Sequence, residues 1–81
     1  MSAVVVLGGC GAVGSVAVKT LARAPAFTKV VIGDMNAARA RELIAELGNH
    51  VSFVPVDAGD ERSVRAVIAA ADIVLNCVGP F

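Results

Sequence analysis

The sequence has little charge, and the charges it has cancel. Lysine and arginine number 7, aspartate and glutamate also number 7, and the formal net charge at pH 7 is zero. Without a basic tract, nucleic acid and anionic membranes are not expected as main partners. No apolar run approaches the roughly 20 residues of a membrane span, and residues 1–3 lack the charged start of a signal peptide. We therefore expect a cytoplasmic protein.

Cysteine and histidine are also scarce. The two cysteines, Cys10 and Cys77, match no zinc-binding spacing, so we expect free thiols and no metal site. His50 is the single histidine, and it precedes a predicted strand at the edge away from the predicted ligand site. We expect His50 to lie on the surface, and no catalytic residue is assigned to this chain.

The most informative segment is a glycine motif near the N-terminus. An apolar run ending at Leu7 is followed by Gly9-x-Gly11-x-x-Gly14 and then by a helical pattern. This order is typical of a strand, a tight turn and a helix whose N-terminus faces a phosphate. We expect Gly9 to allow the turn, Gly11 to let a pyrophosphate approach the main chain, and Gly14 to let the helix lie close to the strand.

The first turn of that helix is expected to supply the hydrogen-bond donors. The N–H groups of Gly11, Ala12 and Val13 should face the pyrophosphate, because the first N–H groups of a helix have no partner within it. Cys10 lies within the turn and is expected to line the same site.

Strand-like runs and helical spacing alternate along the rest of the chain. The predicted strands cover 4–7, 29–33, 51–56 and 72–78, with a helix after each of the first three. The predicted buried stripe of the first helix consists of Val13, Val16, Ala17, Thr20, Leu21 and Ala24. The pattern predicts an α/β fold, a Rossmann-type doubly wound parallel sheet of βαβαβαβ order with strands arranged 3-2-1-4.

Asp34 follows the glycine motif at the distance that dinucleotide-binding domains use. It lies 20 positions after Gly14, at the end of the second predicted strand. A carboxylate there can accept hydrogen bonds from both hydroxyls of an adenine ribose, and it would repel a 2′-phosphate. Met35 cannot hold a phosphate, so the expected cofactor is NAD rather than NADP.

The ends of the third and fourth strands complete the predicted site. Asp57 and Ala58 should lie near the adenine, although aspartates at such positions also serve as turn residues. The segment after the fourth strand should run past the phosphates, and its candidate residues are Cys77, Val78, Gly79 and Pro80.

Hydrophobic residues make up 57% of a chain of only 81 residues. So much apolar surface in so short a chain predicts a face that other protein covers. We expect residues 1–81 to be the N-terminal part of a dinucleotide-binding domain, truncated before strands five and six, with the substrate domain absent. The apolar fourth strand would leave a sheet edge through which copies of the chain self-associate or form a homodimer.

Two segments resemble the saccharopine dehydrogenase family. They are Val-Leu-Gly-Gly-Cys-Gly-Ala-Val-Gly at 6–14 and Ala-Asp-Ile-Val-Leu-Asn-Cys-Val-Gly-Pro-Phe at 71–81. The resemblance implies NAD(P)-dependent oxidoreduction at a carbon–nitrogen bond of an amino acid, with the substrate and the dimer contacts held by a second domain. It also implies cofactor contacts at Gly9, Gly11, Gly14, Asp34, Asp57 and the 77–80 turn.

Two other interpretations stay open. Gly8-x-x-Gly11-x-x-Gly14 also fits an extended short-chain dehydrogenase, although Leu7 stands where that family usually has threonine. That family would require a Tyr-x-x-x-Lys pair further along. The third interpretation is a regulatory module that senses NAD without catalysing a reaction.

Overall fold

The computed structural model describes residues 2–57, 59–69 and 71–78. Its elements are, in chain order, β1 (Ala3–Leu7), α1 (Ala12–Arg23), β2 (Lys29–Asp34), α2 (Ala37–Leu47), β3 (Val51–Pro55), α3 (Glu61–Ile68) and β4 (Ile73–Asn76). The four strands form one sheet in the order β3-β2-β1-β4, and the paired strands are parallel. The predicted doubly wound fold and its 3-2-1-4 strand order are confirmed.

The central strands are apolar because both faces of the sheet are covered. Val4 and Val6 of β1 belong to a buried cluster that includes Val18 of α1 and Leu43 of α2. The alternate residues of β1 face the other side, in a second cluster with Val67 of α3. Successive side chains of a strand point to opposite faces, so a strand buried on both sides has an unbroken apolar sequence.

Side chains cap the N-termini of α2 and α3, and a glycine follows the last residue of α2. The side chain of Asn36 accepts a hydrogen bond from the N–H of Arg39, and that of Asp60 accepts one from the N–H of Arg62. Gly48 follows α2 with a φ of 111°, a conformation that residues with a Cβ rarely adopt. These local signals mark both ends of α2 and the start of α3.

The predicted buried stripe of α1 is wrong in three positions, because Val13, Val16 and Thr20 are all exposed. Val13 and Val16 are 72% and 63% exposed, whereas Gly14 and Val18 are the buried residues of the helix. The cause is Gly14, which packs against the turn after β1 and thereby sets the rotation of the helix about its axis. The buried face then continues at Leu21, which packs against the cluster around Val18.

The β4 strand is an exposed edge. Ile73, Val74 and Leu75 are 49%, 41% and 40% exposed, although each is strongly apolar. The strand is shorter than predicted: it begins at Ile73 and ends at Asn76. Among the described residues, no helix has both the length and the apolar character that crossing a membrane requires.

Substituting Gly14 with alanine is expected to destabilise the fold strongly. A Cβ at this position would overlap the carbonyl oxygen of Gly8 and lie 2.9 Å from the Cα atom of Gly9. Because backbone atoms cannot rotate away, we expect a loss of about 3 kcal/mol in the free energy of unfolding, measured in urea.

The matched control is Gly11→Ala. A Cβ on Gly11 would come no closer than 3.4 Å, to the Gly8 carbonyl oxygen, and its backbone angles suit any residue. We expect a change below about 1 kcal/mol. Equal losses for the two substitutions would contradict the close approach of α1 to the turn.

Candidate functional site

A cleft of about 250 Å³ opens at the carboxyl ends of β1, β2 and β4. In open parallel sheets, ligands bind at this edge, where the strand order reverses. Here the reversal falls between β2 and β4, on either side of β1. The cleft is lined by Leu7, Gly8, Gly11, Gly33, Asp34, Met35, Val56, Cys77 and Val78.

The turn at the start of the glycine motif depends on Gly8. Its φ is 75°, and a Cβ there would lie 3.0 Å from backbone atoms of Cys77 and Val78. Its N–H donates to the carbonyl oxygen of Gly33 across 2.8 Å. The left-handed backbone position of the turn is therefore at Gly8, and not at Gly9 as expected. Gly9 instead makes room for the side chain of Ile32, because a Cβ on Gly9 would lie 2.9 Å from Ile32 Cγ2.

The N-terminus of α1 lies at this cleft. Gly11 is the N-cap, and among the described residues no side chain caps this end. The N–H of Gly11 donates to the carbonyl oxygen of Gly8 across 3.1 Å, so in this structure it is engaged within the turn, and its contact with a pyrophosphate stays a prediction. Ala12 and Val13 form the first turn, where helical N–H groups have no partner within the helix.

Asp34 is held by backbone donors from two loops. Its Oδ2 accepts a hydrogen bond from the N–H of Cys10 at 3.0 Å. Its Oδ1 accepts bonds from the N–H groups of Met35 at 2.7 Å and Asn36 at 3.1 Å. The carboxylate is thus fixed at the wall of the cleft rather than free in solvent.

The Cys10 thiol forms a further hydrogen bond between the glycine turn and the loop after β2, and its raised pKa disfavours the reactive thiolate. Burial raises the pKa of the Cys10 thiol above its ordinary value, the Asp34 carboxylate raises it further, and the Arg39 guanidinium opposes both. The protonated thiol donates to the carbonyl oxygen of Asn36 at 3.4 Å. Because the thiolate is the reactive form, this pKa shift argues against a nucleophilic Cys10.

Five of the predicted site residues lie around the cleft itself. They are Gly11, Asp34, Met35, Cys77 and Val78. Gly9, Cys10 and Gly14 support the turn from behind it. Both cysteines are free, as expected. That these residues contact a cofactor stays a prediction.

Asp57 does not line the cleft. It is exposed, its carboxylate accepts a hydrogen bond from the N–H of Gly59 at 2.9 Å, and its own N–H donates to Ser63 Oγ at 3.2 Å. These bonds are those of a turn residue, the second of the two roles that the sequence allowed. The predicted contacts at Ala58, Gly79 and Pro80 lie outside the described residues.

Four residues that line the cleft were not predicted from the sequence. Leu7, Gly8, Gly33 and Val56 do so because they lie at or just beyond strand ends. The strand register places Leu7 directly opposite Gly33. The last residues of neighbouring parallel strands lie at one edge of the sheet whatever their chemistry. Their position at the strand ends is therefore the signal that could have identified these residues.

A larger cleft, of about 520 Å³, lies at the opposite edge of the sheet. Its lining includes Lys29, His50 and Asp72. The predicted placement of His50 at this edge is correct, but the residue is half-buried, with Nε2 2.7 Å from the carbonyl oxygen of Ala22. The described helices α1, α2 and α3 each follow a strand, so their N-termini lie at the other edge. Volume alone therefore does not identify the site.

The smaller cleft has the groups that a dinucleotide would need. The open space beside Gly11 lets a pyrophosphate reach the first turn of α1, where the macrodipole favours negative charge. The Asp34 carboxylate stands at the end of β2, where the adenine ribose lies in this class of fold.

Comparison with known proteins leads to the same class of ligand. The family model of the saccharopine dehydrogenase NADP binding domain matches residues 4–81. A 3-hydroxyacyl-CoA dehydrogenase type-2 from Drosophila melanogaster is 33% identical over an alignment of 81 positions, which covers 91% of this chain and 31% of that protein. The chain thus spans about a third of the length of this curated relative.

Two solved structures have similar folds. The 3-hydroxyacyl-CoA dehydrogenase type-2 from Mycobacterium avium is 33% identical, with a TM-score of 0.79 over 98% of this chain and 33% of that one. Apo saccharopine dehydrogenase (L-Glu forming) from Saccharomyces cerevisiae has a TM-score of 0.79 over 98% of this chain and 17% of that one. The latter is 24% identical, so this likeness shows the fold alone.

The match over residues 4–81, the confirmed strand order and the cleft at the glycine turn agree with one another. The chain belongs to the family of saccharopine dehydrogenase NADP binding domains, and it is an NAD(P)-binding domain of the dehydrogenase and reductase type.

Proposed function

We propose that this chain is the NAD-binding part of an oxidoreductase that transfers hydride at a carbon–nitrogen bond of an amino-acid-like substrate. The observation that carries the cofactor assignment is the joint position of the α1 N-terminus and the Asp34 carboxylate at one cleft. The proposed substrate class rests on the match to the saccharopine dehydrogenase family model. The first suits a pyrophosphate and the second suits a ribose with free hydroxyls.

The preference for NAD over NADP rests on the charges around Asp34. A 2′-phosphate would approach this carboxylate, and Met35 beside it offers no positive charge. The first arginine downstream is Arg39, and its Nη1 lies 3.5 Å from Oε2 of Glu42, in an ion pair that competes for its charge. Because Arg39 is paired with Glu42, we do not expect it to offset the repulsion between Asp34 and a 2′-phosphate.

The residues of this chain would bind and orient the cofactor. The α1 N-terminus would hold the pyrophosphate, Asp34 the ribose, and Cys77 with Val78 the wall along which the cofactor extends. The bound nicotinamide would supply the hydride chemistry. No residue of the chain is assigned a catalytic role, so the substrate groups would come from a second domain of the whole protein.

A second candidate is a short-chain dehydrogenase, favoured by the 33% identity to two proteins named 3-hydroxyacyl-CoA dehydrogenase type-2. Both candidates share the cofactor cleft and differ in substrate. A carbon–oxygen substrate with a Tyr-x-x-x-Lys pair in the whole protein would support this second candidate. A carbon–nitrogen substrate would support the first.

We propose further that the β4 edge is a contact surface for a second copy of the chain. Its three apolar side chains are 40–49% exposed. The other sheet edge, β3, ends at Pro55, which has no N–H to offer a pairing strand.

We also propose the cytoplasm as the location, because both cysteines are free.

Titration of the chain with NADH and with NADPH tests the cofactor assignment. We expect saturable binding with NADH preferred, and we expect Asp34→Ser to shift the ratio of the two affinities toward NADPH by about tenfold. The control is Asp72→Ser, because Asp72 also accepts a backbone N–H bond but lies at the opposite edge. An unchanged ratio in Asp34→Ser would contradict the assigned role.

Light scattering over a range of protein concentrations tests the β4 surface. We expect the wild-type chain to self-associate and Leu75→Lys to reduce the associated fraction, because a charge opposes burial of that edge. The control is Val54→Lys on β3, since Val54 at 39% is as exposed as Leu75 at 40%. A monomeric wild type, or equal effects of the two variants, would contradict the proposal.

A further inference from the structure

We propose that Asp34 is a positioning residue for the glycine turn, in addition to any contact that it makes with the ribose. In this role its carboxylate holds the turn that receives the pyrophosphate, so the two halves of the cofactor cleft are coupled through one side chain. The inference deepens the proposed function and rests on it for the identity of the ligand.

Three hydrogen bonds join the glycine turn to the last residues of β2 and to the loop that follows it. The N–H of Gly8 donates to the carbonyl oxygen of Gly33 at 2.8 Å. The N–H of Cys10 donates to Asp34 Oδ2 at 3.0 Å, and the Cys10 thiol donates to the carbonyl oxygen of Asn36 at 3.4 Å. Of these acceptors, only the Asp34 carboxylate is a side chain, and it bears a full charge.

The bond from Cys10 is long-range and partly buried. It spans 24 residues of sequence and joins the turn after β1 to the end of β2. Hydrogen bonds to charged groups are stronger than those between neutral groups, and shielding from water strengthens them further. Cys10 is adjacent to Gly11, the N-cap of α1, so the bond constrains the backbone that precedes the phosphate-facing helix end.

The carboxylate is largely occupied by these donors. Each carboxylate oxygen has about two acceptor positions. Oδ1 accepts from both Met35 and Asn36, whereas Oδ2 accepts from Cys10 alone. One acceptor position is left, on Oδ2, so Asp34 can accept one ribose hydroxyl in this arrangement rather than the two expected from the sequence.

It follows that a change at Asp34 should weaken binding even of a ligand that has no ribose hydroxyl to offer. Asp34→Asn keeps the shape of the side chain but has one acceptor oxygen. We expect the amide oxygen to keep the two donors Met35 and Asn36, which places the NH2 group against the Cys10 N–H, donor against donor. A residue that acted through ribose contact alone would not affect such a ligand.

The experiment compares NADH with its 2′,3′-dideoxyadenosine analogue, which lacks both hydroxyls of the adenine ribose. Affinities are measured for wild type, Asp34→Asn and the control Asp72→Asn. Asp72 is the matched control because its Oδ2 accepts a long-range backbone bond, from the N–H of Ala3 at 2.7 Å, at the opposite edge.

We expect Asp34→Asn to weaken binding of the analogue by about tenfold, and Asp72→Asn to leave it unchanged within about twofold. Unchanged affinity of Asp34→Asn for the analogue would overturn the proposal, because Asp34 would then act through the hydroxyls alone.

Amide hydrogen exchange in the ligand-free chain provides an arm that needs no cofactor. We expect the Cys10 amide to exchange at least about tenfold faster in Asp34→Asn, while Asp72→Asn accelerates the Ala3 amide instead. Unchanged exchange at Cys10 would overturn the proposal. Failure of the wild-type chain to bind any dinucleotide would overturn the proposed function, and exchange at Cys10 would still decide the positioning role.

Discussion

The contact between Gly14 and the Gly8 carbonyl is the constraint on which the rest of the structure depends. Gly8 reverses the chain at the end of β1 through a positive φ, and Gly14 allows the next helix to approach that reversal without a side chain between them. The approach sets the rotation of α1, which buries Val18 and exposes Val13. It also directs the N-terminus of α1 toward the carboxyl edge of the sheet. A side chain at position 14 would therefore disturb the core and the cleft together.

The cleft forms where three strand ends and one helix end meet, and hydrogen bonds fix their relative positions. The Asp34 carboxylate connects the glycine turn to the start of α2, and the N–H of Cys77 donates to the carbonyl oxygen of Leu7 at 2.8 Å. A dinucleotide binds through groups spread over a long molecule, so such links hold its subsites at fixed separations. Preorganisation of this kind lowers the ordering cost of binding.

Much of the fold could be predicted from the sequence because its determinants are local. Asn36 and Asp60 cap helices through their own side chains, and the apolar runs of the strands reflect burial on both faces. The rotation of α1 could not be predicted from apolar spacing, because Val13 and Val16 continue a plausible stripe. The contact between Gly14 and Gly8 decides which face of α1 is buried, and this contact is not visible in the hydropathy pattern.

The site was predictable to the same extent. Asp34 and Gly11 follow from motif spacing, whereas Gly33 and Val56 line the cleft only because the strand register brings them to its edge. Asp57 illustrates the limit of the sequence argument. A carboxylate after a strand suits either a ligand or its own turn, and only the position of the Gly59 N–H distinguishes the two.

The central claim is that the dinucleotide occupies the cleft at the carboxyl edge. The most direct measurement is a map of backbone amide chemical-shift changes when the chain is titrated with NADH. The account predicts that the amides of Gly11–Val13, Met35 and Val78 move together and saturate at one ligand concentration. Shifts confined to Lys29, His50 and neighbouring residues at the opposite edge would contradict it.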